Sequence, residues 1–475
     1  MSALILPEEK NFSSTPVEKA SKITDKLPIL TPWKWSYTGK VSQIHSNTKT
    51  VTLKDGSNKT VKLHEFIDEK VPAFKDNATF SLKPTYFTGM LQTLALSDPS
   101  LNKFFKIFYG REVFTYKDGG VCSVDYVMNN NKGWKNKYSF EFLKNGKISG
   151  FDKDTFKKDE EATHLQDWPR LHPRTKYLTT EELEEVKASK TKPLVLICHG
   201  LCGGSHETII RATIDKIDLD VFDVAVINSR GCARTKIMSE KLFSAYSTDD
   251  IREIVTAKLN DNPDRHIYLM GFSFGATIVS NYLGEEGDKC PIKTAVTISN
   301  PWDMIYSYEK MTFDFWAKRL CSKNIVKFLV RTVEVNLPSL EKFREENVAK
   351  HTSNAHVFTK ENMKKAKAFQ TTAEFDDTFT APYMGFNSAV EYYSNAGSIN
   401  RLPNIKIPLL AINSEDDPVV GETSKNLQNV ILNNENVMYI STSLGGHLAY
   451  LTSDNDSFIT EPVAQYLSSF EKHLA

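Results

Sequence analysis

No stretch of the 475 residues approaches the roughly 18 consecutive apolar residues that cross a bilayer, so no membrane-spanning helix is expected. Net charge is absent as well. Lys plus Arg and Asp plus Glu number 59 each, which removes any argument from net charge for nucleic acid or an anionic membrane as partner. Cysteine is sparse: six residues lie dispersed at 122, 198, 202, 232, 290 and 321, and a chain this long can build its core without disulfides. The opening Met1-Ser2-Ala3-Leu4-Ile5-Leu6-Pro7 lacks the basic and apolar regions of a secretory signal. An intracellular, cytoplasmic protein acting on a small molecule is therefore expected. Cofactor signals are missing too. Gly200, Gly203 and Gly204 are not followed by Gly-Lys-Ser/Thr, and Cys198, His199, Cys202 and His206 lack the paired spacing of zinc ligands, so neither nucleotide nor metal is expected.

Character changes along the chain. Residues up to about Leu30 are polar with little periodicity and read as a mobile arm. Alternating runs around Asp55-Gly56-Ser57-Asn58 and Asp118-Gly119-Gly120 then describe two hairpins, which makes the first 150 residues or so β-rich. Beyond a charged connector, short apolar runs recur at 194–197, 224–227, 266–270, 295–298, 407–412 and 437–440, separated by helical segments. That alternation implies a parallel sheet with helices on both faces. Ser247 and Asp250 read as a capping pair for a helix carrying Ile251, Ile254, Val255 and Leu259. Thr460 reads as the cap of a last helix whose apolar face is Val463, Tyr466, Leu467 and Phe470. Between Trp302 and about Arg401 the β rhythm stops, and an aromatic-rich helical insertion reads as a lid. The expected division is an extension over 1–110 and a main domain over 111–475, with the lid at about 302–400.

Chemistry enters at Gly271-Phe272-Ser273-Phe274-Gly275, where a buried strand hands over to a helix. A serine on so sharp a turn projects its hydroxyl above the sheet, and glycines on either side permit close packing. A hydroxyl becomes a strong nucleophile only when a neutral imidazole takes its proton and a carboxylate fixes that imidazole's tautomer. The acid follows a later strand, in Ser414-Glu415-Asp416-Asp417-Pro418. Asp417 is the choice over its neighbours because the residue before proline is biased to extended geometry. The base follows the next strand, in Gly445-Gly446-His447. Two backbone N–H groups must hold the oxyanion, and Phe274 and Leu201 are the candidates, Leu201 lying in Cys198-His199-Gly200-Leu201-Cys202-Gly203-Gly204.

Together with Asn228-Ser229-Arg230-Gly231 and Phe375-Asp376-Asp377-Thr378-Phe379-Thr380-Ala381-Pro382, these blocks resemble the α/β-hydrolase superfamily. Within it they are similar to the YheT-like branch (AB hydrolase 4), which includes yeast medium-chain fatty acid ethyl ester synthase/esterases and monoacylglycerol lipase. The resemblance covers residues 80 to 475. It implies a doubly wound, mostly parallel sheet, with Ser273, Asp417 and His447 as the triad. The implied reaction is hydrolysis of medium-chain esters through an acyl-enzyme, with acyl transfer from acyl-CoA to an alcohol and peripheral contact with a lipid droplet or membrane. The rival reading is a catalytically silent hydrolase fold that binds lipid or a protein.

Overall fold

The six apolar runs become the parallel centre of an eleven-stranded sheet in a computed structural model describing residues 36–474 apart from 47–49, 55–59, 99, 102–103, 143–147, 189–191 and 349–354. The strands are β1 (Thr38–His45), β2 (Thr79–Ser81), β3 (Tyr109–Thr115), β4 (Val121–Val127), β5 (Thr175–Tyr177), β6 (Leu194–Cys198), β7 (Asp223–Asn228), β8 (Ile267–Phe272), β9 (Ala295–Ile298), β10 (Leu409–Ser414) and β11 (Val437–Thr442). Their order is β2-β1-β11-β10-β9-β8-β6-β7-β4-β3-β5. All neighbours from β7 to β11 run parallel. The hairpin β3–β4 joins β7 antiparallel, and β1 joins β11 antiparallel.

Burial on both faces explains why the central strands are continuously apolar. In β6, Leu194, Leu196 and Cys198 enter one core while Val195 and Ile197 enter the other. The core of Leu194, Leu196 and Cys198 is closed by helix Thr248–Asp261 and by α2 (Phe274–Glu286, after α1 at Gly89–Ala95). Helix Thr208–Lys216 and the last helix, α5 (Thr460–Leu474), which follows α3 (Met304–Phe313) and α4 (Lys323–Val348), close the core of Val195 and Ile197. Between β9 and β10 the chain is helical, and α4 packs with Phe375 and Phe379 in a small core of its own.

Several local expectations change. Residues 38–81, placed by sequence in an extension, supply two strands of the same sheet, and that segment also holds a helix at Leu63–Lys70. The expected mobile arm and the turn at Asp55–Asn58 lie outside the described residues; the short strands Thr52–Lys54 and Thr60–Lys62 do pair. Ser247 does stand at the N-cap, yet its hydroxyl accepts from the Ser244 N–H (2.9 Å) and makes no cap bond. Asp250 is drawn away by the Arg230 guanidinium, which donates to both its oxygens at 2.8 Å. Thr460 is the first helical residue, and its hydroxyl donates to Ser457 O (2.8 Å). Pro408 precedes β10 because it has no N–H for the ladder, although its carbonyl accepts from Ala295 (3.1 Å). All six cysteines are free thiols. No described helix is long and apolar enough to cross a membrane.

The apolar face of α5 is fully buried, Leu467 at 0% exposure. Leu467→Ala should lower stability by about 2–5 kcal/mol in urea unfolding, and Gln465→Ala on the exposed face should change it by less than about 0.5 kcal/mol.

Candidate active site

The turn between β8 and α2 places Ser273 at φ +51°, ψ −120°, a conformation that costs a non-glycine residue on the order of 1–3 kcal/mol. Packing enforces it. The Ser273 N–H donates to Ile298 O at 2.8 Å, and a Cβ at Gly275 would stand 2.3 Å from His199 O and 2.5 Å from Cys198 O. Only glycine lets α2 press so closely on the end of β6. Ser273 itself stays partly exposed at the sheet's carboxyl edge.

Loops after β10 and β11 bring Asp417 and His447 to the same edge. His447 Nδ1 lies 2.8 Å from Asp417 Oδ2, and its Nε2 lies 2.8 Å from Ser273 Oγ. Asp417 is 1% exposed, and its Oδ1 accepts the N–H groups of Val419 (2.7 Å) and Val420 (2.9 Å). A carboxylate only accepts, so the imidazole proton sits on Nδ1 and Nε2 is left as an acceptor for the Ser273 hydroxyl. The neighbouring acids do other things. Asp416 Oδ1 accepts from Gly446 N–H (2.8 Å) and Ser414 Oγ (2.6 Å), and burial pushes its carboxyl up to about 6. Glu415 accepts from the Thr423 N–H (3.0 Å) and from the hydroxyls of Thr423 and Ser441.

The loop after β6 carries Leu201 to the cavity at Ser273, where a Cβ on the preceding Gly200 would stand 3.5 Å from Ser273 Cβ. Among the described residues no group accepts the Leu201 or Phe274 N–H, and both residues line the cavity at Ser273. This loop is stitched down by buried polar side chains on it and around it. His199 Nε2 accepts the Ser229 N–H (3.0 Å), so its Nδ1–H donates to Gly200 O (2.6 Å), and burial holds the imidazole down to about 4. Asp125, from β4, takes both arms of the Arg111 guanidinium (2.6 and 2.8 Å), the Ser205 hydroxyl (2.5 Å) and Asn228 Nδ2 (2.9 Å). Asn228 Oδ1 in turn accepts the Ser205 N–H at 2.9 Å. The signal for this network was a charged residue within the mostly apolar run Val121–Val127. Glu207 also lines the cavity, its carboxyl pushed up to about 7 chiefly by burial.

The cavity over Ser273 has a volume of about 340 Å³. Its wall opposite the sheet comes from the helical insertion, with Leu329, Val333, Phe375 and Phe379 among its residues, so part of that apolar sequence faces the site and is not merely internal packing. Phe313 and Phe315 instead point outward, 75% and 54% exposed. Cys198, His199, Cys202 and His206 form no metal-ligand group among the described residues, and His206 stacks on His172 at 3.8 Å.

The sequence profile of the alpha/beta hydrolase fold matches residues 193–454, from the start of β6 to beyond His447. The chain belongs to the α/β-hydrolase family. Among its relatives, medium-chain fatty acid ethyl ester synthase/esterase 2 of Saccharomyces cerevisiae is 45% identical, across 94% of this chain and 98% of that protein. The monoacylglycerol lipase of the same yeast is 30% identical, across 90% and 88%. A solved esterase of Pyrococcus furiosus aligns with 79% of this chain and 94% of its own, at 14% identity and a TM-score of 0.42.

Within this hydrolase fold the Arg111–Asp125 pair is 1% and 0% exposed. Asp125→Ala would leave a buried guanidinium without its anion and should cost about 3–5 kcal/mol in denaturant unfolding. Replacing both members by apolar residues of similar size should cost clearly less.

Proposed function

We propose that the chain is a serine esterase that cleaves medium-chain carboxylic esters, fatty acid ethyl esters and monoacylglycerols among them, through an acyl-enzyme. The observation that carries this reading is the unbroken chain Asp417–His447–Ser273, with both contacts at 2.8 Å, at the floor of an apolar cavity. Ser273 Oγ attacks the ester carbonyl as His447 Nε2 takes its proton. The carbonyl oxygen becomes an oxyanion held by the Leu201 and Phe274 N–H groups. Collapse breaks the bond to the alcohol oxygen, which leaves with the proton from His447. Asp417 keeps the imidazole in the required tautomer and offsets its charge while protonated. Water, activated in turn by His447, releases the acid.

Where an alcohol replaces water, the same acyl-enzyme yields a new ester, so acyl transfer from acyl-CoA to an alcohol belongs to this reading. The ethyl ester synthase/esterase name of the 45% identical relative supports it. The helical segment over about 302–400 acts as the lid that sets which acceptor enters. Its exposed Phe313, Phe315 and Phe328, interspersed with exposed Lys318, Arg319, Lys327 and Arg331, suit peripheral contact with a lipid droplet or membrane.

Ser273→Ala should lower kcat by about 10⁶, and Asp417→Asn by about 10⁴, on a soluble p-nitrophenyl ester. Near-normal turnover by Ser273→Ala would overturn the mechanism. A series of ethyl esters of increasing acyl length, run with and without added ethanol, should peak at medium chains and show ester formation when an acyl donor and ethanol are both present.

A further inference from the structure

The histidine loop is not held by the hydrolase sheet alone. Helix α1, from the segment ahead of β3, lies directly against it. The Thr93 hydroxyl donates to Gly89 O one turn back (2.7 Å), which aims an oxygen lone pair at the His447 N–H, 2.8 Å away. Gln92, 1% exposed, grips the far side of the same loop: its Oε1 accepts the Leu451 N–H (2.8 Å) while its Nε2 donates to Tyr86 O (3.0 Å). Between these two grips sits Gly446 at φ +62°. A Cβ there would stand 2.4 Å from Gly89 O and 2.9 Å from Thr93 Oγ1 and Gln92 Cβ. On the other side, the Gly446 N–H donates to Asp416 Oδ1, beside the acid that contacts the imidazole.

We infer that α1 is a built-in part of the active site and that Thr93 is a positioning residue, fixing the His447 backbone so that the imidazole spans Asp417 and Ser273. The inference rests on the triad reading above. An imidazole that must satisfy two contacts at once tolerates little movement of its own backbone, and a displacement of about 1 Å at such a group can cost about 10²-fold in rate. The sheet delivers His447 to the right edge, whereas the hydroxyl of a residue 354 positions earlier fixes its final placement. Because Thr93 touches neither cavity nor cleft among the described residues that line it, its loss should act on kcat and not on substrate binding.

The test uses the full chain and a soluble short-chain p-nitrophenyl ester, with rates normalised to active sites titrated by a fluorophosphonate. Thr93→Val keeps the shape of the side chain and removes the hydroxyl. It should lower kcat by about 10–100-fold with KM within about twofold of the parent, and slow fluorophosphonate labelling of Ser273 in parallel. Thr93→Ser, which retains the hydroxyl, should restore kcat to within about threefold. Thr93→Ala repeats the measurement should the valine variant not fold. Parent-like kcat in folded Thr93→Val or Thr93→Ala overturns the inference, as does a loss that serine does not rescue. Failure of both variants to fold, read by circular dichroism, assigns Thr93 to the core and overturns it as well. Ser273→Ala is the separate control: labelling or turnover that survives in it overturns the triad reading, whereas a dead Ser273→Ala beside a parent-like Thr93→Val overturns the positioning role alone.

Discussion

The close approach of α2 to the end of β6 is the constraint on which the site depends. With Gly275 seated against the carbonyls of Cys198 and His199, the strand-to-helix turn has no room to relax, and Ser273 is held at positive φ. The same contact sets the loop carrying Leu201 beside the serine, so Ser273 and the proposed oxyanion donors share one geometric origin. Hydrogen bonds then secure what the packing fixes. His199 ties the loop to Ser229, and Asp125 ties it through Ser205 and Asn228 to the β3–β4 hairpin. The core of the sheet and the chemistry at its edge are thus parts of one packing solution.

Parallel strands make the rest of the arrangement economical. Every parallel strand ends at the same edge, so Asp417 and His447 can each occupy the first loop after its own strand, β10 and β11, and meet without long excursions. The consecutive acids Glu415, Asp416 and Asp417 show how finely a loop divides labour. One braces the loop against Thr423 and Ser441, one anchors Gly446, and one faces the imidazole. Their chemistry is identical; their partners distinguish them.

Central strands and the Ser273 turn were legible in the sequence because each rests on local pattern: continuous apolar runs for strands buried on both faces, and glycines where backbones touch. The order of Asp417 and His447 behind Ser273 was legible because topology fixes it. What escaped depended on partners distant in sequence. Asp250 resembles a cap until Arg230 claims it, and Asp125 resembles a stray charge until Arg111, Ser205 and Asn228 surround it. Residues 38–95 carried no motif that announced an edge strand or a helix against the histidine loop. Short elements with half-exposed faces have weak periodicity, and their placement is decided by tertiary contacts.

The antiparallel seam between β1 and β11 also has a bearing on how the chain is made. Lys40 and Ser443, which exchange hydrogen bonds at this seam, are 403 residues apart, close to the full span of the molecule. During synthesis at about 5–20 residues per second, β1 would wait on the order of 20–80 s before its partner strand left the ribosome. For that interval β1 has an unpaired edge, and a nascent chain already displaying Ser273 still lacks the strand after which His447 is placed. The fold therefore has a natural sequence of assembly in which Ser273 is present early and His447 arrives last, so a chain truncated before β11 is a hydrolase scaffold without the imidazole that stands beside that serine.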